Sequence, residues 1–202
     1  MLLCSEILIA IYRFLPLLQN RLYMAKLYIN KDIVADKDKM ENWYLTGEDG
    51  LSFPDIQNFL SWIDPNDHVI DIEIHSCGGD AVEGYAIYDA LRASGKQISC
   101  TAVGRCASMA TVILLAAAKE RRFAYPHAKF LIHKPYMASY DGDLDLETLE
   151  SIKSNLESEK NKMLALYVER TGSEASVIEA QMNKAGWFGG ETAKQLGFIT
   201  TV

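Results

Sequence analysis

Ser108 stands in the run Gly104-Arg105-Cys106-Ala107-Ser108-Met109-Ala110, a serine among small residues where the apolar pattern changes period. Ile98-Ser99-Cys100-Thr101-Ala102-Val103 enters the run like a strand, and Thr111-Val112-Ile113-Leu114-Leu115 leaves it like an apolar helix. A serine on such a turn suits a nucleophile. Small neighbours let the backbone bend sharply, and the following helix opens with unpaired N–H groups and a partial positive charge. Those donors can hold a developing oxyanion. The same position also suits a helix-capping serine, and the run alone leaves both readings open. A second turn, Gly78-Gly79, follows another strand-like run. Glycine lets backbone N–H groups approach a ligand without an intervening side chain. Gly79 N–H and Met109 N–H would then form a two-donor pocket beside Ser108, the plainer reading being a tight loop. His133 closes the apolar run Lys129-Phe130-Leu131-Ile132 and precedes Lys134-Pro135. It suits a general base at a strand end, or a core histidine with one hydrogen bond. His75 at the glycine turn, His127 in a turn and His68 before a strand read as structural or solvated residues.

The elements that must position these residues are legible in order. Lys26-Leu27-Tyr28-Ile29 and Trp43-Tyr44-Leu45-Thr46 read as short strands. Ser52-Phe53-Pro54-Asp55 opens a helix with a serine cap, a first-turn proline and an acid three residues on. Ile56, Phe59, Leu60 and Ile63 follow as one stripe. From Val69 the order is strand, glycine turn, helix (Ala81 to Arg92), strand, glycine-led turn, helix, which predicts a mostly parallel α/β sheet. Lys119-Glu120-Arg121-Arg122 reads as a solvated break. From Leu144 to Arg170 runs one long amphipathic helix with acids at its start and Gly172 at its end. A helix this long either projects toward another subunit or lies on its own core. Short helices are expected from Glu174 to Asn183 and from Glu191 to Leu196, with a last strand at Phe198-Ile199-Thr200.

The chain's 202 residues, 49% hydrophobic and 23% charged, suit one domain with an extension. A net charge of −7 argues against a nucleic-acid surface, which needs a basic face. Cys4, Cys77, Cys100 and Cys106 lack metal-ligand spacing and read as reduced thiols, as in a cytoplasmic protein. Residues 1–23 are apolar but interrupted by Glu6, Arg13 and Pro16, too broken to span a membrane and without the features of a secretory signal. They read as an extension ahead of a domain beginning at Met24, or as an amphipathic docking helix.

Taken in order and spacing, Ser76-Cys77-Gly78-Gly79, Gly104-Arg105-Cys106-Ala107-Ser108-Met109 and Ile132-His133-Lys134-Pro135 resemble the Clp protease proteolytic subunit family. The long helix and Glu191-Thr192-Ala193-Lys194-Gln195-Leu196-Gly197 resemble its handle and C-terminal segment, so the resemblance covers residues 24–202. It implies an α/β, crotonase-like (Clp protease) fold with repeated ββα units and a projecting handle helix. It also implies a cytoplasmic homo-oligomer, a heptameric ring that can stack as a double ring, cleaving a polypeptide substrate without cofactor or metal. An ATP-driven unfoldase or phage capsid proteins are the partners to expect, not nucleic acid or membrane. Residue by residue, Ser108 matches the family's nucleophile, His133 its general base, and the Gly79 and Met109 N–H groups its oxyanion hole. The Gly186-Trp187-Phe188 segment is most similar to the Clp-like proteases that mature phage heads.

Two positions depart from the family pattern. Cys77 stands where many members have proline. Ala185 stands where the family places the third, acidic triad member, and Asn183 nearby is polar but out of register. Alanine cannot orient an imidazole, and loss of the orienting acid in a serine triad costs on the order of 10⁴ in turnover. The residues therefore imply either a serine endopeptidase, weakened as the sequence stands, or a catalytically silent structural ring subunit.

Overall fold

The architecture is set by a run of alternating isoleucines. Ile70, Ile72 and Ile74 are each fully buried on one face of strand β2 (Val69–Ser76), while Asp71 and Glu73 turn to the other face and pair with Lys26. The computed structural model describes residues 24–47, 49–137, 140 and 142–202, so the extension expected at residues 1–23 lies outside the described residues. Around β2 forms a six-stranded sheet with the order β1-β2-β3-β5-β6. Its other strands are β1 (Met24–Ile29), β3 (Gln97–Ala107), β4 (Arg122–Ala124), β5 (Lys129–Leu131) and β6 (Phe188–Gly189). Pairing is parallel throughout except between β5 and β6, as the alternation of strands and helices predicts.

Strand β3 is the long spine and serves two partners. Its first half, at Cys100 to Ala102, pairs with β4, and its last residues, Arg105 to Ala107, pair with β5. Between them the register against β2 shifts, from Ile74 opposite Ala102 to Ser76 opposite Cys106. Gly104 occupies this bulge at φ 81°, and a side chain there would meet the His75 ring, its Cβ only 2.4 Å from Nδ1. His75 Nδ1 in turn lies 2.7 Å from the Val103 carbonyl, so this exposed histidine braces the bulge.

The helices are α1 (Lys39–Thr46), α2 (Phe53–Trp62), α3 (Ala81–Ala93), α4 (Met109–Leu114), α5 (Leu146–Thr171), α6 (Ala175–Lys184) and α7 (Gly190–Gln195). Every residue of α4 is buried. Its one polar side chain, Thr111, is satisfied by the Ser108 carbonyl at 2.6 Å and by the Tyr167 hydroxyl at 2.7 Å. The 26-residue α5 is about 39 Å long and buries only Met163, Tyr167 and Thr171, all in its C-terminal half. Its N-terminal end stands out, with Leu146 83% exposed. Of the two arrangements open to this helix, projection is the one observed.

Three expectations are corrected. Trp43 to Thr46 is helical, not a strand. Local hydrogen bonding shapes it into α1, ended by Gly47 in the left-handed region at φ 79°. Phe198-Ile199-Thr200 forms no strand, only a single bridge between Phe123 and Thr201. Arg122 is no part of a solvated break: it is 1% exposed, its guanidinium held by the Ala117 carbonyl at 2.9 Å and the Arg170 carbonyl at 2.8 Å.

The expected cap of α2 forms a full capping box. The buried Ser52 donates its N–H to Asp55 Oδ2 at 2.8 Å, and Lys39 Nζ lies 2.6 Å from the same oxygen. Burial alone would raise the Asp55 carboxyl, but the bonds from Lys39 and the Ser52 amide outweigh it and hold it below the usual carboxylate range. Because the folded value lies below the unfolded one, this contribution is complete above the ordinary carboxylate range and is lost as pH falls through the folded value. Asp55→Asn is therefore expected to cost about 1 kcal/mol in urea unfolding at neutral pH. The difference from the parent should shrink toward the lowest pH at which the fold survives.

Candidate active site

Strand β3 delivers Ser108 onto an elbow. Its backbone sits at φ 52°, ψ −126°, and its N–H donates to the Leu131 carbonyl at 2.8 Å. A serine at positive φ is strained by its Cβ, and such strain persists only where surrounding structure enforces it. Among the described residues only two non-glycines have positive φ, Ser108 and Ala185. One is the predicted nucleophile and the other is the position where the family carries its acid.

The Gly78-Gly79 turn lies directly on this elbow. A Cβ at Gly78 would come within 2.6 Å of the Ala107 carbonyl, 2.7 Å of Met109 N and 2.8 Å of Ser108 Cβ. The turn is fixed from behind. Gly78 N–H donates to Ser76 Oγ at 3.0 Å, Ile33 N–H to the Gly78 carbonyl at 2.8 Å, and Asp80 N–H to the Ile33 carbonyl at 2.8 Å. This leaves the N–H groups of Gly79 and Met109 without a hydrogen bond among the described residues, on either side of the close contact. Met109 opens α4, so its amide is one of the helix's unpaired N-terminal donors. The arrangement can hold a negative oxygen beside Ser108.

His133 follows β5 by two residues, just past the fully buried Ile132. Since the Leu131 carbonyl accepts from the Ser108 amide, the neighbouring ends of β3 and β5 bring Ser108 and His133 to the same edge of the sheet. His133 Nδ1 lies 2.6 Å from the Lys134 carbonyl. A carbonyl only accepts, so Nδ1 carries the proton and Nε2 is the basic nitrogen. Among the described residues no hydrogen bond joins Ser108 Oγ to the imidazole. The ring packs against Tyr136 at 5.5 Å between centroids.

Ala185 ends α6 in the left-handed conformation, φ 46°, ψ 35°. With Leu131, His133, Lys134, Met182 and Asn183 it lines a cavity of about 480 Å³. The third predicted position thus faces the same space as the imidazole. Asn183 faces it too, but makes no hydrogen bond to His133 among the described residues. Two contributors escaped the sequence reading. Tyr136 lay just beyond the Lys134-Pro135 motif, and the Lys134 carbonyl is a backbone atom with no sequence signature.

Two of the nearby thiols are poor nucleophiles. Cys106, two residues before Ser108, is fully buried, and burial pushes its thiol well above the usual range. Burial likewise raises the Cys100 thiol to about 12. The described residues contain no cluster able to hold a metal ion and no helix long and apolar enough to cross a membrane.

Comparison with known proteins gives consistent matches. A family profile described as Clp protease matches residues 55–202. The ATP-dependent Clp protease proteolytic subunit 1 of Chlamydia abortus is 30% identical over 145 residues, covering 70% of this chain and 72% of the relative. The protein of the same name from Protochlamydia amoebophila is 28% identical over 148 residues, covering 71% and 69%. Among solved structures, a mutant ClpP1 from Listeria monocytogenes superposes with a TM-score of 0.70 at 20% identity, covering 93% of this chain and 94% of that one.

Proposed function

Since this chain belongs to the Clp protease family, we propose that it is a serine endopeptidase subunit of a ring-shaped homo-oligomer, with Ser108 as nucleophile and His133 as general base. The observation that carries the reading is the Ser108 elbow, strained at φ 52° and pressed against the Gly78-Gly79 turn. In the reaction, Ser108 Oγ attacks the scissile carbonyl and passes its proton to His133 Nε2. The oxyanion forms between the Gly79 and Met109 N–H groups. The imidazolium then protonates the leaving amine, and water, deprotonated by the same nitrogen, cleaves the acyl-enzyme. The Lys134 carbonyl holds the imidazole in the tautomer this needs. Being neutral, it stabilises the imidazolium less than a carboxylate would, so turnover is slow. Substrate approach must bring Nε2 and Oγ into hydrogen-bond range, as catalytic contacts commonly tighten on binding.

The domain of this reading runs from Met24 to Val202, with residues 1–23 outside it. The projecting N-terminal half of α5 supports assembly, since Leu146 and Leu149 on it remain exposed among the described residues. A heptamer, single or stacked in pairs, is the expected ring. The Gly186-Trp187-Phe188 segment supports a place among cytoplasmic phage head-maturation proteases, with capsid proteins as substrate. A second reading, a catalytically silent structural subunit, is favoured by Ala185 alone.

The test is hydrolysis of an unfolded polypeptide by the assembled protein. The parent should show slow cleavage that Ser108→Ala abolishes, and light scattering should show both as rings. A stable monomer at micromolar concentration would contradict the assembly. Equal cleavage by parent and Ser108→Ala would contradict the chemistry.

A further inference from the structure

At the end of α4 remote from Ser108, two guanidiniums sit side by side with no carboxylate hydrogen-bonded to either among the described residues. Arg122 donates Nε to the Ala117 carbonyl at 2.9 Å and Nη1 to the Arg170 carbonyl at 2.8 Å, with a longer contact of 3.5 Å to the Gly197 carbonyl. Arg170 donates Nε to the Leu115 carbonyl at 3.0 Å and Nη2 to the Ala117 carbonyl at 2.9 Å. Every acceptor is a neutral carbonyl. Arg122 Nη2 and Arg170 Nη1 make no hydrogen bond among the described residues. Both residues line a cavity of about 360 Å³ that Arg92 and Lys119 also border. Glu120 and Glu169 share the rim, yet none of the four cations forms an ion pair among the described residues.

Capping explains part of this arrangement. Cations suit a helix C-terminus, whose partial charge is about half a unit. Set against the half charges at the C-termini of α4 and α5 and the carboxylates of Glu120 and Glu169, the four cations Arg92, Lys119, Arg122 and Arg170 still leave the cavity lining positive. Burial, and after it the neighbouring Arg170, bring the Arg122 guanidinium down to about 10, against a smaller opposing effect from Glu120. A buried arginine normally faces a carboxylate or a phosphate, whose oxygens match its planar fork.

We infer that the cavity bordered by Arg92, Lys119, Arg122 and Arg170 is a binding site for a phosphate group. Buried Arg122 and half-buried Arg170 supply the fixed floor through their unused N–H groups, and Arg92 and Lys119 close on the outer oxygens. The site is separate from the Ser108 chemistry and does not depend on it.

The test is isothermal titration of the full-length protein with inorganic phosphate and, separately, with phenyl phosphate, against chloride at matched ionic strength. Saturable binding at one site per chain is expected. The double variant Arg92→Ala, Lys119→Ala removes the exposed cations of the mouth and with them one hydrogen bond, from Lys119 Nζ to the Thr171 carbonyl at 3.3 Å. It should weaken binding tenfold or more while lowering Tm in chloride far less than Arg170→Met does. Arg170→Met should remove binding and lower Tm, because it also uncaps α4. Tighter binding of phenyl phosphate would identify a phosphate ester as the ligand and tighter inorganic phosphate the free anion, and either supports the site. Absence of saturable heat, or affinity unchanged in the double variant, would overturn it.

Discussion

Ala185→Asp is expected to raise kcat for peptide hydrolysis on the order of 10²-fold, with little change in KM. Ala185 and His133 line one cavity, so an aspartate there can accept the Nδ1–H hydrogen bond now made to the Lys134 carbonyl. The full loss seen when a triad lacks its acid, on the order of 10⁴, includes imidazole held in the wrong tautomer. Here the carbonyl already selects the right one. What remains to be gained is stabilisation of the imidazolium, which exists only as the serine attacks. The backbone favours the substitution too. Residue 185 is left-handed at φ 46°, where a Cβ costs about 1 kcal/mol and aspartate is better tolerated than alanine. Ala185→Gly separates the two effects. It should stabilise the fold by a comparable amount and leave hydrolysis as slow as the parent's. If glycine accelerates hydrolysis as much as aspartate does, the gain comes from the backbone and the assignment of position 185 fails.

Gly78→Ala is expected to abolish most hydrolysis and to destabilise the fold by about 2–4 kcal/mol. At φ 88° the new Cβ would be strained, and all three atoms it meets within 2.8 Å belong to the elbow itself, at Ala107, Ser108 and Met109. None can rotate away as a side-chain tip would. Either the turn or the elbow must move, which misaligns the Met109 amide. Loss of a single oxyanion donor costs about 10²–10³ in kcat. Gly95→Ala is the control: it has a similar φ of 70° but open space around it, so only the backbone penalty, about 1 kcal/mol, applies. Assays below the unfolding midpoint of both variants distinguish the two. Equal activity of Gly78→Ala and Gly95→Ala would remove the turn from the site.

The sequence was most readable where hydrogen bonding is local and periodic. The β2 alternation, the capping box at Ser52 and Asp55, and the stop at Gly172 each depend on residues a few positions apart. Prediction failed at Trp43 to Thr46, where aromatic and β-branched residues suggest a strand only if a sheet edge is available to complete it. Arg122 was misread for a related reason. Whether an arginine is solvated or buried depends on carbonyls at Ala117, Arg170 and Gly197, far apart in the chain. At the site, residue types and spacing left Ser108, His133, Gly79 and Met109 open to a catalytic or a structural reading, and it was the family resemblance that assigned them catalytic roles. The left-handed backbone at Ala185 and the Lys134 carbonyl that orients His133 belong to the main chain, which a list of side chains does not encode.

The central claim is that Ser108 is an activated nucleophile despite the absence of a carboxylate at position 185. Intact-mass measurement after incubation of the assembled protein with a fluorophosphonate tests it most directly. The prediction is one adduct per chain, mapped to Ser108, formed slowly by the parent, faster by Ala185→Asp, and not by His133→Ala. Assembled rings of both the parent and Ala185→Asp that take up no adduct at Ser108 would contradict it.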